Sequence, residues 1–187
     1  ATDPDNADVV LPAARALERL HIQREDYPAL ADALEKQIAF EPDVETKKKL
    51  LGTLADLYES RLHNVDRAVA CYVERLELDP SDLVAMLALE RLYEQRSEHL
   101  KLIGILQKRD AVAQDEAEAR RLARRIGDIY ETRLDDKDSA IAAYNEVLSR
   151  FGNDRETLKA LERVYEATER YPDLLEAIGH ELELVSD

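Results

Sequence analysis

The sequence predicts an all-α protein: a solenoid of about five antiparallel helical hairpins stacked in line. Three observations predict it. The string LERLYE at 89–94 returns as LERVYE at 161–166, and LERLH stands at 17–21, so the same motif recurs twice at a spacing of 72 residues. Residues 49–115 slide over 121–187 without a gap, and 21 of the 67 aligned positions are identical, which marks tandem repetition. Five glycines and six prolines in 187 residues leave a chain dominated by Ala, Leu, Glu and Arg, all good helix formers.

The elements follow in order. Tyr27-Pro28 marks a helix start, because proline suits the first turn, where a missing N–H costs nothing. In 49–62, KLLGTLADLYESRL, apolar residues fall at 50, 51, 54, 57, 58 and 62, the pattern of an amphipathic helix. The stretch 63–66, HNVD, breaks it, and Asn64 is expected to cap a helix over 65–78 that carries Ala68, Tyr72 and Leu76 at steps of four. Asp79-Pro80-Ser81 ends that helix, with Ser81 expected to cap the next, 82–96. That helix holds Ala85, Ala88, Leu89, Leu92 and Tyr93 on one side, and a helix over 98–113 follows. The pattern repeats 72 residues on, and Tyr171-Pro172 marks the last start. Ten helices joined by short linkers imply antiparallel neighbours.

LERLYE is then one packing turn: Leu89, Leu92 and Tyr93 share a face, and Glu90 and Glu94 lie off it. It recurs because each hairpin must bury the same face against its neighbours. The expected organisation is one repeat domain over 1–187, with a half unit at 8–43 and full units at 44–115 and 116–187. The repeat phase and the lack of an initiator Met suggest an excerpt from a longer array.

The net charge is −15, a field that repels phosphate backbones and anionic lipid and favours a basic partner. No apolar run reaches the ~18–20 residues of a membrane span. Cys71 is the single cysteine, so no intrachain disulfide forms, and the compartment stays open with the cytoplasm favoured.

Leu54-Ala55 and Tyr58, followed by Ala68, Tyr72 and Pro80, resemble a tetratricopeptide repeat, as do Ile126-Gly127, Tyr130, Ala140 and Tyr144. The loop between Tyr58 and Ala68 is one residue longer than in that motif. The alternate hairpins depart further, with Glu90 or Glu162 at a small-residue slot and Leu102 or Leu174 where alanine is usual. The unit is therefore a pair of unlike hairpins. The resemblance implies a right-handed superhelix whose first helices line a concave groove, and a role in binding peptides or partner proteins.

Catalytic constellations are not legible. His21 occupies the slot of Tyr93 and Tyr165, and His99 that of Tyr27 and Tyr171, so both read as packing substitutes. His63 and His180 form no metal-ligand spacing. Cys71 aligns with Ala143, a small-residue slot, and reads as a buried inert thiol. No phosphate loop or calcium loop occurs in the sequence. The expectation is a non-enzymatic chain with no cofactor and no metal.

Charge patterning is more informative. Aligning the aromatic slots gives a column Arg19, Asp56, Arg91, Asp128, Arg163, whose signs alternate. Arginine would reach the aspartate of the neighbouring first helix and form a salt-bridge ladder. One turn on, Glu59, Glu94, Glu131 and Glu166 make an acidic row, the expected partner-binding surface together with Arg91 and Arg163. The partner would be a protein or peptide, basic or an amphipathic helix. The competing reading is a structural spacer or self-association element, with a homo-oligomer formed through open solenoid ends.

Overall fold

A computed structural model describes residues 7–186. Among them run ten α-helices: α1 (Ala7–Arg24), α2 (Tyr27–Phe40), α3 (Val44–Ser60), α4 (Val65–Leu78), α5 (Leu83–Gln95), α6 (His99–Val112), α7 (Glu116–Thr132), α8 (Lys137–Phe151), α9 (Arg155–Ala167) and α10 (Tyr171–Ser186). No strand occurs among the described residues, and none of their helices is long and apolar enough to cross a membrane.

The chain divides into two compact units between Leu92 and Tyr93, inside α5, a division that does not coincide with the repeat boundaries. In unit 1, α1 packs on α2, α2 on α3 and α3 on α4; in unit 2, α6 packs on α7, α7 on α8, α8 on α9 and α9 on α10. Within each unit these packed pairs are neighbours in sequence, the nearest-neighbour pattern of stacked hairpins.

Local chemistry sets the helix starts. Asp26, Asp43, Asn64, Asp115, Asp136 and Asp154 each accept a hydrogen bond from a first-turn backbone N–H. The cap of α5 differs from expectation: it is Asp82, whose Oδ1 accepts from Ala85 N at 3.1 Å, while the Ser81 hydroxyl turns back to Asp79. Arg75 explains the shift, because it holds the Asp82 carboxylate at 2.9 and 2.7 Å and fixes it at the helix start. α3 also begins before residue 49, at Val44, because Asp43 caps it through Thr46 N at 2.8 Å.

All five turns within hairpins carry one residue in the left-handed region: Glu25, His63, Ser97, Asp135 and Glu169. They fall in two series, 25, 97, 169 and 63, 135, each spaced by 72, so both hairpin types keep their own turn. In the first series the N–H after that residue bonds the carbonyl of the aromatic-slot residue five back, as Glu98 N does to Tyr93 O at 2.9 Å. In the second the reach is six, Asn64 N to Tyr58 O at 2.8 Å and Asp136 N to Tyr130 O at 2.9 Å. This longer closure accommodates the extra loop residue.

The small-residue slots decide how closely helices approach. Ala55 and Ala68 are fully buried in unit 1, and Ala140 in unit 2. At Gly127, a Cβ would lie 2.5 Å from the Tyr144 ring, so the ring of α8 rests directly on the α7 backbone. The equivalent pair in the preceding repeat is Ala55 and Tyr72.

Candidate functional site

The first helices of the hairpins carry the charged residues singled out from the sequence. In unit 1, Arg91 on α5 donates to Glu59 on α3 at 2.6 Å. In unit 2, Arg125 on α7 donates to Glu94 on α5 at 2.7 Å, and Arg163 on α9 forms a two-point pair with Glu131 on α7 at 2.6 and 2.7 Å. Each arginine therefore reaches an acid of the preceding first helix. The partner is the glutamate of the acidic row, not the aspartate of the expected column.

The aspartates are engaged inside their own hairpins. The Tyr72 hydroxyl donates to Asp56 at 3.3 Å, and that of Tyr144 to Asp128 at 2.7 Å. Asp56 and Asp128 are short and lie toward the second helix, whereas glutamate one turn further has the length to cross to the next hairpin. The arginine register alternates too. It stands two residues before the aromatic in α5 and α9, but five before it in α7, at Arg125. Arg19 on α1 and Glu166 on α9 are exposed, and among the described residues no arginine pairs with Glu166.

Glu131 is the anchor of unit 2. It is buried, with 8% of its surface exposed, and its Oε2 also lies 2.9 Å from the Tyr144 hydroxyl. Arg163 foremost, and Tyr144 after it, hold its carboxyl below the ordinary glutamate value against the opposing effect of burial. Burial, with Asp128 and Glu131 alongside, pushes the Tyr144 phenol well above its ordinary value, so it stays a proton donor to both acids.

A second cluster escaped sequence reading. In unit 1, Glu35 on α2 pairs with Arg67 on α4 and accepts from the Tyr58 hydroxyl at 2.6 Å, while Arg67 also stacks 5.4 Å from the Tyr58 ring centre. A shallow cleft of about 360 Å³ opens beside it, with Cys71 in its wall. Burial, foremost, pushes the Cys71 thiol up to about 11, so the thiolate is not populated at neutral pH. The signal available in sequence was the 32-residue offset from Glu35 to Arg67, shared by Glu59–Arg91 and Glu131–Arg163.

The histidines stand apart from these clusters. His21 lies on α1 with Nδ1 3.8 Å from Asp26, His63 occupies the left-handed turn position between α3 and α4, His99 opens α6 and His180 lies on α10. Among the described residues, no group of three or more metal-capable side chains gathers.

Comparison with known proteins adds one finding. MamA of strain AMB-1 superposes with a TM-score of 0.50 at 19% identity, covering 96% of this chain and 93% of that one. The fold is a tetratricopeptide-like helical repeat. A tetratricopeptide repeat protein from Parabacteroides merdae ATCC 43184 is similar at a TM-score of 0.49 and 12% identity, over 95% of this chain and 67% of that one. No protein-family model matches the sequence. No curated protein matches it.

Proposed function

We propose that the protein is a non-enzymatic scaffold that binds a protein or peptide on the face of its first helices. The observation that carries the proposal is the acid–arginine pairing between first helices within each unit, Glu59–Arg91 in unit 1 and Glu94–Arg125 and Glu131–Arg163 in unit 2. The pairs present fixed charge, and in unit 2 Glu94 and Glu166 are exposed. Fixed charges of this kind select a partner by complementarity and by steering. The net charge of −15 supports a basic or basic-amphipathic segment as the occupant.

The pairing also bounds the contact surface. Glu131 is buried and Glu59 half-buried, each engaged by an arginine, so reversal at either position would attack the fold first. Glu94 and Glu166 are the exposed positions, so the test falls there; the Glu94 pair with Arg125 is solvent-exposed, and losing it costs the fold little. The immobilised chain would be used to capture proteins from an extract of its source cells, read by mass spectrometry. The Glu94→Lys/Glu166→Lys variant, with an unchanged circular dichroism spectrum, is expected to lose the captured proteins. If the same proteins are retained at the same level, the acidic edge is not the contact surface.

A second reading, a spacer or self-association element, is favoured by two specific observations. Three of the four row acids are already engaged within the chain, and apolar side chains stand exposed on α1 and α10.

A further inference from the structure

One pair of repeat slots holds opposite chemistry in the first and last hairpins. In the first, Gln37 on α2 is 3% exposed, and its Nε2 donates to Glu18 Oε2 on α1 at 2.7 Å. Two repeats on, Glu162 on α9 stands at the slot of Glu18, and Glu181 on α10 at the slot of Gln37. The middle copy has Arg109 at that second-helix slot. Amide and guanidinium are both donors. The last hairpin sets a carboxylate against a carboxylate, and neither can donate while both are ionised.

The two acids lie within hydrogen-bonding reach of each other across the α9–α10 hairpin. Glu162 Oε1 is buried and has no hydrogen-bond partner. Glu181 is compensated from α9: its Oε1 accepts from Arg155 Nε at 2.9 Å and lies 3.7 Å from Lys159 Nζ. A buried oxygen without a partner beside a second, well-compensated carboxylate is a place that accepts a proton.

We infer that Glu162 and Glu181 form a proton-operated clasp: a proton taken from solvent onto Glu162 Oε1 becomes the donor to the Glu181 carboxylate, and the α9–α10 hairpin is more stable with it than without. The proton sits on Glu162 for a physical reason. Arg155 foremost holds the Glu181 carboxyl below the ordinary glutamate value, so Glu181 remains the acceptor. Burial foremost, and the Glu181 charge after it, push the Glu162 carboxyl above that value, and Lys159 on its own helix opposes the rise. α8, the other helix packed on α9, brings Ile141, Tyr144 and Leu148 to this core, and none of them carries charge, since the Tyr144 phenol stays protonated.

The folded chain thus binds the Glu162 proton more tightly than the unfolded chain does. The stabilisation is fully present below the ordinary glutamate value of about 4.3 and is lost as pH rises through the higher, folded value of Glu162. Glu181 acts in the opposite sense and in a lower window: its pairing with Arg155 is lost only as pH falls through its own depressed value.

Thermal unfolding of the 187-residue chain between pH 5 and 7.5 tests the clasp in two variants. Glu162→Gln supplies a permanent amide donor to Glu181, as Gln37 does to Glu18. Glu18→Gln removes the same charge at the same slot of the first hairpin, where a donor is already in place, and so measures the relief of the −15 net charge by itself. At pH 7.5 Glu162→Gln is expected to raise Tm by about 2–4 °C beyond the effect of Glu18→Gln, the shift of about one net hydrogen bond in a domain of this size. That excess should fade toward pH 5, where the unmodified chain has its own proton. Equal responses of the two variants, an excess that does not change with pH, or a lower Tm for Glu162→Gln at pH 7.5 would each overturn the clasp. Carbon-13 NMR of the glutamate carboxyls in the unmodified chain needs no variant. It should place the Glu162 midpoint above the ordinary glutamate value and that of Glu181 below it, and both midpoints at the ordinary value would overturn the clasp as well.

Discussion

Arg75→Ala is expected to lower the unfolding free energy by about 3 kcal/mol or more, the cost of leaving a buried carboxylate without its counter-ion. The Arg75 guanidinium, from α4, holds Asp82 Oδ2 at 2.9 and 2.7 Å, and 4% of the Asp82 side chain is exposed. The same carboxylate caps α5 through Ala85 N. Removing Arg75 strands the charge inside and weakens the start of α5 together. The sister repeat shows how the site is built without this arginine. Val147 replaces Arg75 and Arg124 replaces Gly52, so the cation comes from the opposite helix and pairs with Glu156. Asp154, the counterpart of Asp82, is then only half-buried, and its Oδ2 has no hydrogen-bond partner. Asp82→Ser keeps a capping oxygen without the charge, so Arg75→Ala/Asp82→Ser should recover most of the loss. Urea unfolding of the three variants checks this. The single variant should shift the midpoint strongly at unchanged slope, and the double variant should move it back.

Gly127→Ala is expected to destabilise by about 1–3 kcal/mol, the usual range for overpacking a filled core, despite alanine's better helix propensity. The added methyl would sit 2.5 Å from Tyr144 Cε1, and Tyr144 is fully buried with its hydroxyl held by Asp128 and Glu131. The ring cannot retreat without releasing those bonds, and Glu131 is the acid that Arg163 grips from α9. Strain at one α7–α8 contact is thereby passed to the next hairpin. In a Tyr144→Leu background, which removes the obstructing ring, the added cost of Gly127→Ala should shrink; a double-mutant cycle by thermal or urea unfolding measures the coupling. Equal cost in both backgrounds would contradict the close approach.

Much of the fold was legible from periodicity. The helix 65–78 and its Asn64 cap stand where the pattern put them, because Asn64, the broken apolar period and Asp79-Pro80 all mark the same ends. The cap of α5 was not legible, because Ser81 and Asp82 are both good capping residues and the choice lies with Arg75, seven residues away. The charge ladder was half legible. Arg91 and Arg163 do reach the preceding first helix, yet which acid they meet depends on side-chain length and on where tyrosine of the second helix draws the aspartate. The burial of Glu131 was hidden as well. Its repeat twin Glu59 is half-buried at an identical letter, and the difference follows a neighbouring exchange, Ala55 for Gly127, that lets Tyr144 sink and seal the site. The five left-handed turn residues carry no glycine signal, so the turns had to be inferred from spacing.

The central claim is that, within each unit, helices are held by their immediate neighbours in sequence. Deleting the last hairpin, in a chain that ends at Phe151, tests this most directly. Far-ultraviolet circular dichroism should show the helical signal of α1–α8 retained, with a cooperative thermal transition at a reduced midpoint. Loss of helix across the whole truncated chain, with no transition left to measure, would contradict it.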